Sequence, residues 1–187
     1  MRGDHALTPK EAVRLTALGL LRQNGAMRYA DLAFDIRRFT GNIMGPSLDL
    51  MGLSLEMLRY EDLIVALDGQ GMEDNALLEL TPQGRREFDF LMQAPVRVAS
   101  SDLFHKLITA LKLRFLHLLT PTEQQGQVAQ LIAMTEAELS RATRLLEHHA
   151  ADSGVFPAWL AHDCLQIRTR LAWFQALAVD LCGRGVV

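Results

Sequence analysis

The side chains best suited to chemistry lie near the carboxyl end of the chain. Glu147-His148-His149 with Asp152, and the pair His162-Asp163, contain imidazole and carboxylate groups of the kind that bind metal ions. Both groups fall in segments with helical periodicity, where adjacent side chains point about 100° apart and rarely share an ion. Histidines near a helix end, favoured there by the helix dipole, explain the pattern equally well. We therefore expect no metal site.

Catalytic motifs are also missing. The sequence contains no G-x-S-x-G, H-E-x-x-H, P-loop or dinucleotide-binding pattern. Cys164 falls on the apolar side of a predicted helix, as a small core residue would. The sequence therefore predicts neither an enzyme nor a bound cofactor.

Composition limits the class of protein further. The chain has 187 residues, of which 49% are hydrophobic and 22% charged, and it contains two cysteines. This is typical of a globular protein in a reducing cytoplasm. No apolar run reaches 18 residues and no signal-peptide pattern begins the chain, so we expect no membrane segment.

The first half divides into short elements that would position any functional surface. Helices are expected from Pro9 to a stop at Asn24-Gly25, over 29–39 and over 47–60, with Thr8 and Glu11 as a capping box before the first. Two strands at 63–67 and 77–80 precede a helix that runs from Thr81-Pro82 to about residue 92. This order is that of a winged helix-turn-helix, although a generic α+β domain without a nucleic-acid role has it too.

The second half is predicted to be entirely helical. Helices are expected over about 103–119, 121–149 and 158–181, and the last two have apolar seams with the 3.5-residue period of coiled coils. One seam comprises Val128, Ile132, Thr135, Leu139, Ala142 and Leu146, and the other Leu160, Cys164, Ile167, Leu171, Phe174, Ala178 and Leu181. The predicted fold is mainly α with a small β-hairpin. It has a winged-helix domain over 1–93 and a helical dimerisation domain over 94–187.

The helical half has more apolar surface than one copy can cover. Apolar residues off the two seams are Leu131, Leu145, Trp159, Trp173 and Leu177. Contiguous apolar surface usually marks an interface, which predicts a homodimer. The interface residues we expect are Phe104, Leu107, Leu160, Leu171, Phe174 and Leu181. A self-contained three-helix bundle is the alternative.

Several short motifs, in order, resemble the PadR family of winged-helix transcriptional regulators. Residues 28–41 follow the spacing H-G-Y-E-L-x-x-x-L-x-x-x-T-G, Pro46-Ser47 precede the third helix, and residues 80–85 match the L-T-x-x-G-R that follows the wing. The second half resembles the virulence-activator (AphA-like) branch in the spacing of Pro95, Phe104, Lys106 and Leu107. The resemblance covers nearly the whole chain.

This resemblance implies a regulator of transcription that binds a pseudo-palindromic site in double-stranded DNA as a homodimer. The third helix would enter the major groove and the wing would touch the adjacent backbone. The residues then expected to contact DNA are Arg28, Tyr29, Arg37, Arg38, Ser47, Leu50, Ser54 and Arg59. Members of such families also respond to small molecules. Here the aromatic residues Phe88, Phe90, Phe104, Phe115, Trp159 and Trp173 would either line an effector pocket or pack in the core.

The distribution of charge argues against DNA binding. Residues 47–62 contain one arginine and four acidic residues, and residues 63–80 contain four acidic residues and no lysine or arginine. A DNA-binding protein neutralises several phosphates. The alternative is a degenerate winged-helix module that binds a protein partner and not DNA on its own. An acidic patch of Asp49, Glu56, Asp68, Glu73 and Asp74 would favour that alternative.

Overall fold

The computed structural model describes residues 7–44, 52–68, 75–95 and 103–184. The prediction of a mainly helical chain with a small β-element is confirmed. The elements, in order, are α1 (Pro9–Asn24), β1 (Met27–Arg28), α2 (Tyr29–Met44), α3 (Gly52–Tyr60), β2 (Ile64–Ala66), β3 (Leu77–Leu80), α4 (Pro82–Gln93), α5 (Leu103–Arg114), a 3₁₀ turn (Leu116–Leu118), α6 (Pro121–His148) and α7 (Phe156–Arg184). Within the described ranges, no helix combines the length and the apolar character needed to cross a membrane.

The chain forms two compact units, and α5 belongs to the first of them. The first unit contains α1 to α5 and the sheet, and the second contains α6 and α7. The boundary predicted at residue 93 would place α5 in the second unit. The structure differs because α5 packs against α1 and α2.

The sheet has three antiparallel strands in the order β1-β3-β2. The hairpin of β2 and β3 matches the prediction, with Ile64 opposite Leu80. Strand β1 was not predicted. It has only two residues and takes its extended form from pairing with β3, where Met27 lies opposite Leu78.

A close approach between α1 and α5 explains why α5 joins the first unit. A Cβ atom at Gly19 would lie 2.5 Å from the ring of Phe115, so only glycine leaves room for this ring. Phe115 is fully buried and packs edge-on against Phe88, with ring centroids 6.0 Å apart. These two aromatic residues, considered for an effector pocket, are therefore core residues of the first unit.

A second close approach attaches α4 to the start of β2. The Thr81 hydroxyl accepts a bond from the Gly84 amide at 2.9 Å and donates to the carbonyl oxygen of Asp62 at 2.6 Å. A Cβ atom at Gly84 would collide with the carbonyl oxygen of Leu63. The L-T-x-x-G part of the motif at residues 80–85 thus has a structural role, because it holds α4 against the connection that leaves α3.

Lys112 joins α5 to the end of α4. Its side chain is fully buried, and its ammonium group donates to the carbonyl oxygens of Leu91 and Ala94, both at 2.9 Å, and of Met92. These are among the last carbonyl groups of α4, which have no partner inside the helix. Burial lowers the pKa of Lys112 to about 7.

The second unit is an antiparallel hairpin of α6 and α7. Thr120 and Glu123 form a capping box at the start of α6, and Gly154, with a φ of 97°, lies in the turn. The predicted seams face each other, since Val128 and Thr135 of α6 and Leu160 and Phe174 of α7 are buried. Neither cysteine forms a disulfide: Cys164 is buried on this seam, whereas Cys182 is exposed.

The histidines considered for metal binding lie at the tip of this hairpin. Nδ1 of His149 lies 2.7 Å from the carboxylate of Asp152, and its ring packs edge-on against Phe156. His148 stacks edge-on against His149, with centroids 4.8 Å apart. These contacts give the imidazole of His149 a structural role at the turn.

Candidate nucleic-acid interface

Arg28 and Tyr29, both expected to contact DNA, lie where β1 becomes α2. The Arg28 guanidinium donates to the carbonyl oxygen of Asn75 and lies 3.5 Å from the carboxylate of Asp68. The same carboxylate accepts a bond from the Leu77 amide at 2.9 Å. Arg28 therefore contacts both sides of the connection between β2 and β3, and its positive charge is partly neutralised by Asp68. Tyr29 is half-buried, and its amide bonds to the carbonyl oxygen of Ala76.

Arg37 and Arg38 have the properties expected of phosphate contacts. Both are exposed on α2, and neither forms an ion pair with a described residue. The helix that carries them is fixed to α5 by Arg114, whose guanidinium lies over the ring of Phe39, 4.3 Å from its centroid. Burial lowers the pKa of Arg114, and the charge of Asp35 acts in the opposite direction.

The third helix is described only from Gly52 onward. Ser47 and Leu50, expected at its start, lie outside the described residues, and so does the side chain of Ser54. Arg59 is exposed in its last turn. Met57, on the same helix, is exposed as well.

Many acidic side chains of the first unit are neutralised inside the chain. Arg14 binds both Glu61, at 2.7 Å, and Glu87, at 3.0 Å. Burial acts to lower the pKa of Arg14, but the two carboxylates outweigh it and raise that pKa. Arg22 binds Asp89 at 2.5 Å, and its guanidinium lies over the ring of Phe88. Together with the pair of Arg28 and Asp68, these contacts take up four carboxylates and three arginines within the chain.

Among the described residues of the first unit, exposed side chains without an ion-pair partner are more often cationic than acidic. Within the described residues, exposed cationic side chains with no carboxylate partner are Lys10, Arg37, Arg38, Arg59, Arg85, Arg86 and Lys106. Exposed carboxylates with no cationic partner in the same residues are Asp31, Glu56, Asp62 and Glu79. Of the acidic patch considered above, Asp68 is paired, Glu56 is exposed, and Asp49, Glu73 and Asp74 lie outside the described residues. This excess belongs to the described residues alone, because Asp49, Glu73 and Asp74, which the sequence count includes, lie outside them.

Three of the six residues expected at a dimer interface are buried within a single copy. Leu107 is buried in the first unit, and Leu160 and Phe174 are buried between α6 and α7. Phe104, Leu171 and Leu181 are partly buried. Their own chain already covers Leu107, Leu160 and Phe174, and their place at a surface between copies stays a prediction.

A different face of α7 is apolar and exposed. Its residues, all exposed, are Ala158, Ala161, Leu165, Ala172, Ala176 and Val179. At 100° per residue they fall within an arc of about 60°, opposite the seam that packs on α6. Leu165 is 59% exposed and Val179 72% exposed. A helix that is apolar on opposite sides is usually covered on both of them.

Three solved structures similar to the chain are crystal structures of Bacillus subtilis PadR, each 20% identical to it. They are PadR with p-coumaric acid (TM-score 0.40, covering 94% of this chain and 98% of PadR), PadR itself (0.40, covering 95% and 98%) and PadR with operator DNA (0.37, covering 90% and 98%). No curated protein matches the chain.

A family model, "Putative AphA-like transcriptional regulator", matches residues 2–178. The predicted resemblance to the AphA-like branch is thus confirmed. Since the match spans nearly the whole sequence, the chain belongs to the family of AphA-like transcriptional regulators.

Proposed function

We propose that this protein regulates transcription in the cytoplasm by binding double-stranded DNA as a homodimer. The observation that carries the DNA-binding part is the division of charge in the first unit. Ion pairs within the chain take up Glu61, Glu87, Asp68 and Asp89. Four exposed arginines have no carboxylate partner among the described residues: Arg37 and Arg38 on α2, Arg59 on α3 and Arg86 on α4. Unpaired cations on a rigid helical scaffold are what phosphate contacts require.

Arg37 and Arg38 are the residues on which this proposal depends most directly. We expect the double variant Arg37→Ala, Arg38→Ala to bind a mixed pool of genomic duplexes roughly 100-fold more weakly at low salt, since a dimer would lose four phosphate contacts. The slope of log Kd against log salt should fall by roughly 3 to 4. Fluorescence anisotropy at several salt concentrations measures both quantities.

The matched control removes two charges elsewhere on the same unit. Lys10 and Lys106 are exposed and unpaired among the described residues, on α1 and α5. The variant Lys10→Ala, Lys106→Ala has the same net charge as the test variant and should keep most of the affinity. Equal losses in the two variants would contradict a specific role for α2. If the native protein binds no duplex at low salt, the protein-binding alternative replaces DNA binding.

The exposed face of α7 supports the second part of the proposal. In an antiparallel pairing of two α7 helices about an axis between Arg168 and Thr169, Leu165 of one copy would meet Ala172 of the other. Ala161 would then meet Ala176, and Ala158 would meet Val179. Leu165 and Val179 would each oppose an alanine, and Ala161 would oppose Ala176, so the two helices can approach closely on both sides of the axis.

Introducing a charge on this face should separate the copies. We expect Leu165→Lys to sediment as a monomer of 20.9 kDa, whereas the native protein has twice that mass. The reason is that a lysine at the centre of an apolar contact has no partner for its charge. The control is Phe34→Lys, which changes an equally exposed apolar residue on α2 and should stay dimeric. A dimeric Leu165→Lys variant would rule out this face, and a monomeric native protein would rule out the dimer.

A further inference from the structure

The connection between α3 and β2 forms a cavity with two arginines in its wall. The cavity has a volume of about 450 Å³. Arg59 reaches it from the last turn of α3 and Arg86 from the first turns of α4, while Ile64 and Val65 of β2 supply an apolar side. This volume is large enough to hold a phosphate group together with the atoms attached to it.

The backbone segments that carry the two arginines are hydrogen-bonded to each other. The Thr81 hydroxyl donates to the carbonyl oxygen of Asp62, and its amide donates to that of Leu63 at 3.2 Å. Gly84 packs directly against the same Leu63 carbonyl group. The last turn of α3 and the first turn of α4 therefore keep a constant separation, which is the condition for two side chains to act on one ligand.

The charge of the cavity favours an anion. Arginine is always protonated, and neither Arg59 nor Arg86 has a carboxylate partner among the described residues. Elsewhere in the first unit, Arg14 and Arg22 each bind carboxylates of the chain. Asp62 is the one acidic residue in the wall, so two positive charges face one negative charge. The planar guanidinium group matches the oxygens of a phosphate in a bidentate arrangement.

We propose that the cavity between Arg59 and Arg86 binds a phosphate group, either a phosphodiester of the DNA backbone or a free phosphate. As a DNA contact this site rests on the proposed function, and as a site for free phosphate it does not. It assigns a role to Arg86, which the sequence motifs did not connect with DNA. It also gives Asp62 a role, because its carboxylate limits the affinity for an anion.

Phosphate alone tests the site first. Inorganic phosphate is titrated against chloride at equal ionic strength, and the Nε–Hε signals of the arginines are followed by NMR. We expect the signals of Arg59 and Arg86 to shift together with a single dissociation constant. Arg86→Gln should weaken binding roughly tenfold, the value of one charge-assisted contact. Arg85→Gln removes the adjacent exposed arginine, which does not line the cavity, and should bind as the native protein does.

Asp62 offers a variant with the opposite effect. It has a φ of 55°, a left-handed conformation that asparagine tolerates well. Asp62→Asn therefore keeps the backbone and removes the one negative charge of the wall. We expect it to bind phosphate more tightly than the native protein. A gain of affinity cannot result from misfolding, so this variant keeps the test decisive if Arg86→Gln unfolds.

DNA binding then separates the two sources of phosphate. If the ligand is the DNA backbone, Arg86→Gln lowers the slope of log Kd against log salt by roughly one for each copy of the chain in the complex, and Arg85→Gln does not. If phosphate binding depends on Arg86 but the DNA slope is unchanged, the site takes free phosphate. If the native protein binds phosphate but no DNA, the proposed function fails and the site stands. No phosphate binding, with equal DNA slopes for the two variants, overturns the inference.

Discussion

Gly84→Ala is expected to lower the free energy of unfolding by about 3 kcal/mol, the upper part of the range for overpacking. The added Cβ atom would collide with the carbonyl oxygen of Leu63 and lie 2.7 Å from Cδ1 of Leu80. The carbonyl group cannot move aside easily, because it accepts a bond from the amide of Thr81 at 3.2 Å. Relief of the clash thus requires α4 to shift away from β2.

Urea unfolding followed by circular dichroism measures this loss. The control is Gly41→Ala in α2, where no atom lies within 4 Å of the new Cβ atom and stability should rise by up to about 1 kcal/mol, because alanine favours the helix. The slope of free energy against urea should be similar for both variants. A Gly84→Ala protein as stable as the native one would show that α4 and β2 do not approach each other this closely.

Lys112→Met is expected to change how stability depends on pH. Burial lowers the pKa of Lys112 to about 7 in the folded chain, whereas a lysine ordinarily has a pKa of 10.5. Between these values the unfolded chain binds more protons than the folded one, so stability rises with pH. From pH 6 to pH 9 the native protein should gain about 3 kcal/mol relative to Lys112→Met, which has no such group.

The measurement is the urea midpoint of both proteins at each half unit of pH. Lys106→Met serves as the control, because Lys106 lies on the same helix and is exposed. The urea midpoint of Lys106→Met should change with pH in the same way as that of the native protein. Parallel curves for Lys112→Met as well would mean that the ammonium group keeps its ordinary pKa, and that its three carbonyl bonds fully offset its burial.

Local patterns predicted the elements, whereas contacts between distant residues decided their roles. The capping boxes of Thr8 with Glu11 and of Thr120 with Glu123 involve residues three apart, so the starts of α1 and α6 can be predicted from spacing alone. Strand β1 could not be predicted, because two residues show no alternation and its partner lies some fifty positions later.

The candidate site shows the same limit. Arg28 was expected to contact DNA, but its carboxylate partner, Asp68, is forty residues away and unrelated to any motif. The 3.5-residue seams predicted that α6 and α7 pack, yet a hairpin within one chain and a dimer produce the same period. The position of α5 depended on a ring of Phe115 placed over Gly19, a contact between two residues that no spacing relates.

The unequal burial of the two thiols gives the native chain a built-in labelling position. A maleimide spin label should react with Cys182 and leave Cys164 unmodified, so no engineered cysteine is needed. In the antiparallel arrangement of α7, the two labelled positions would be separated by 27 helical residues, or about 40 Å. A parallel arrangement would bring them close together, and a pulsed dipolar measurement on the unmutated protein distinguishes the two.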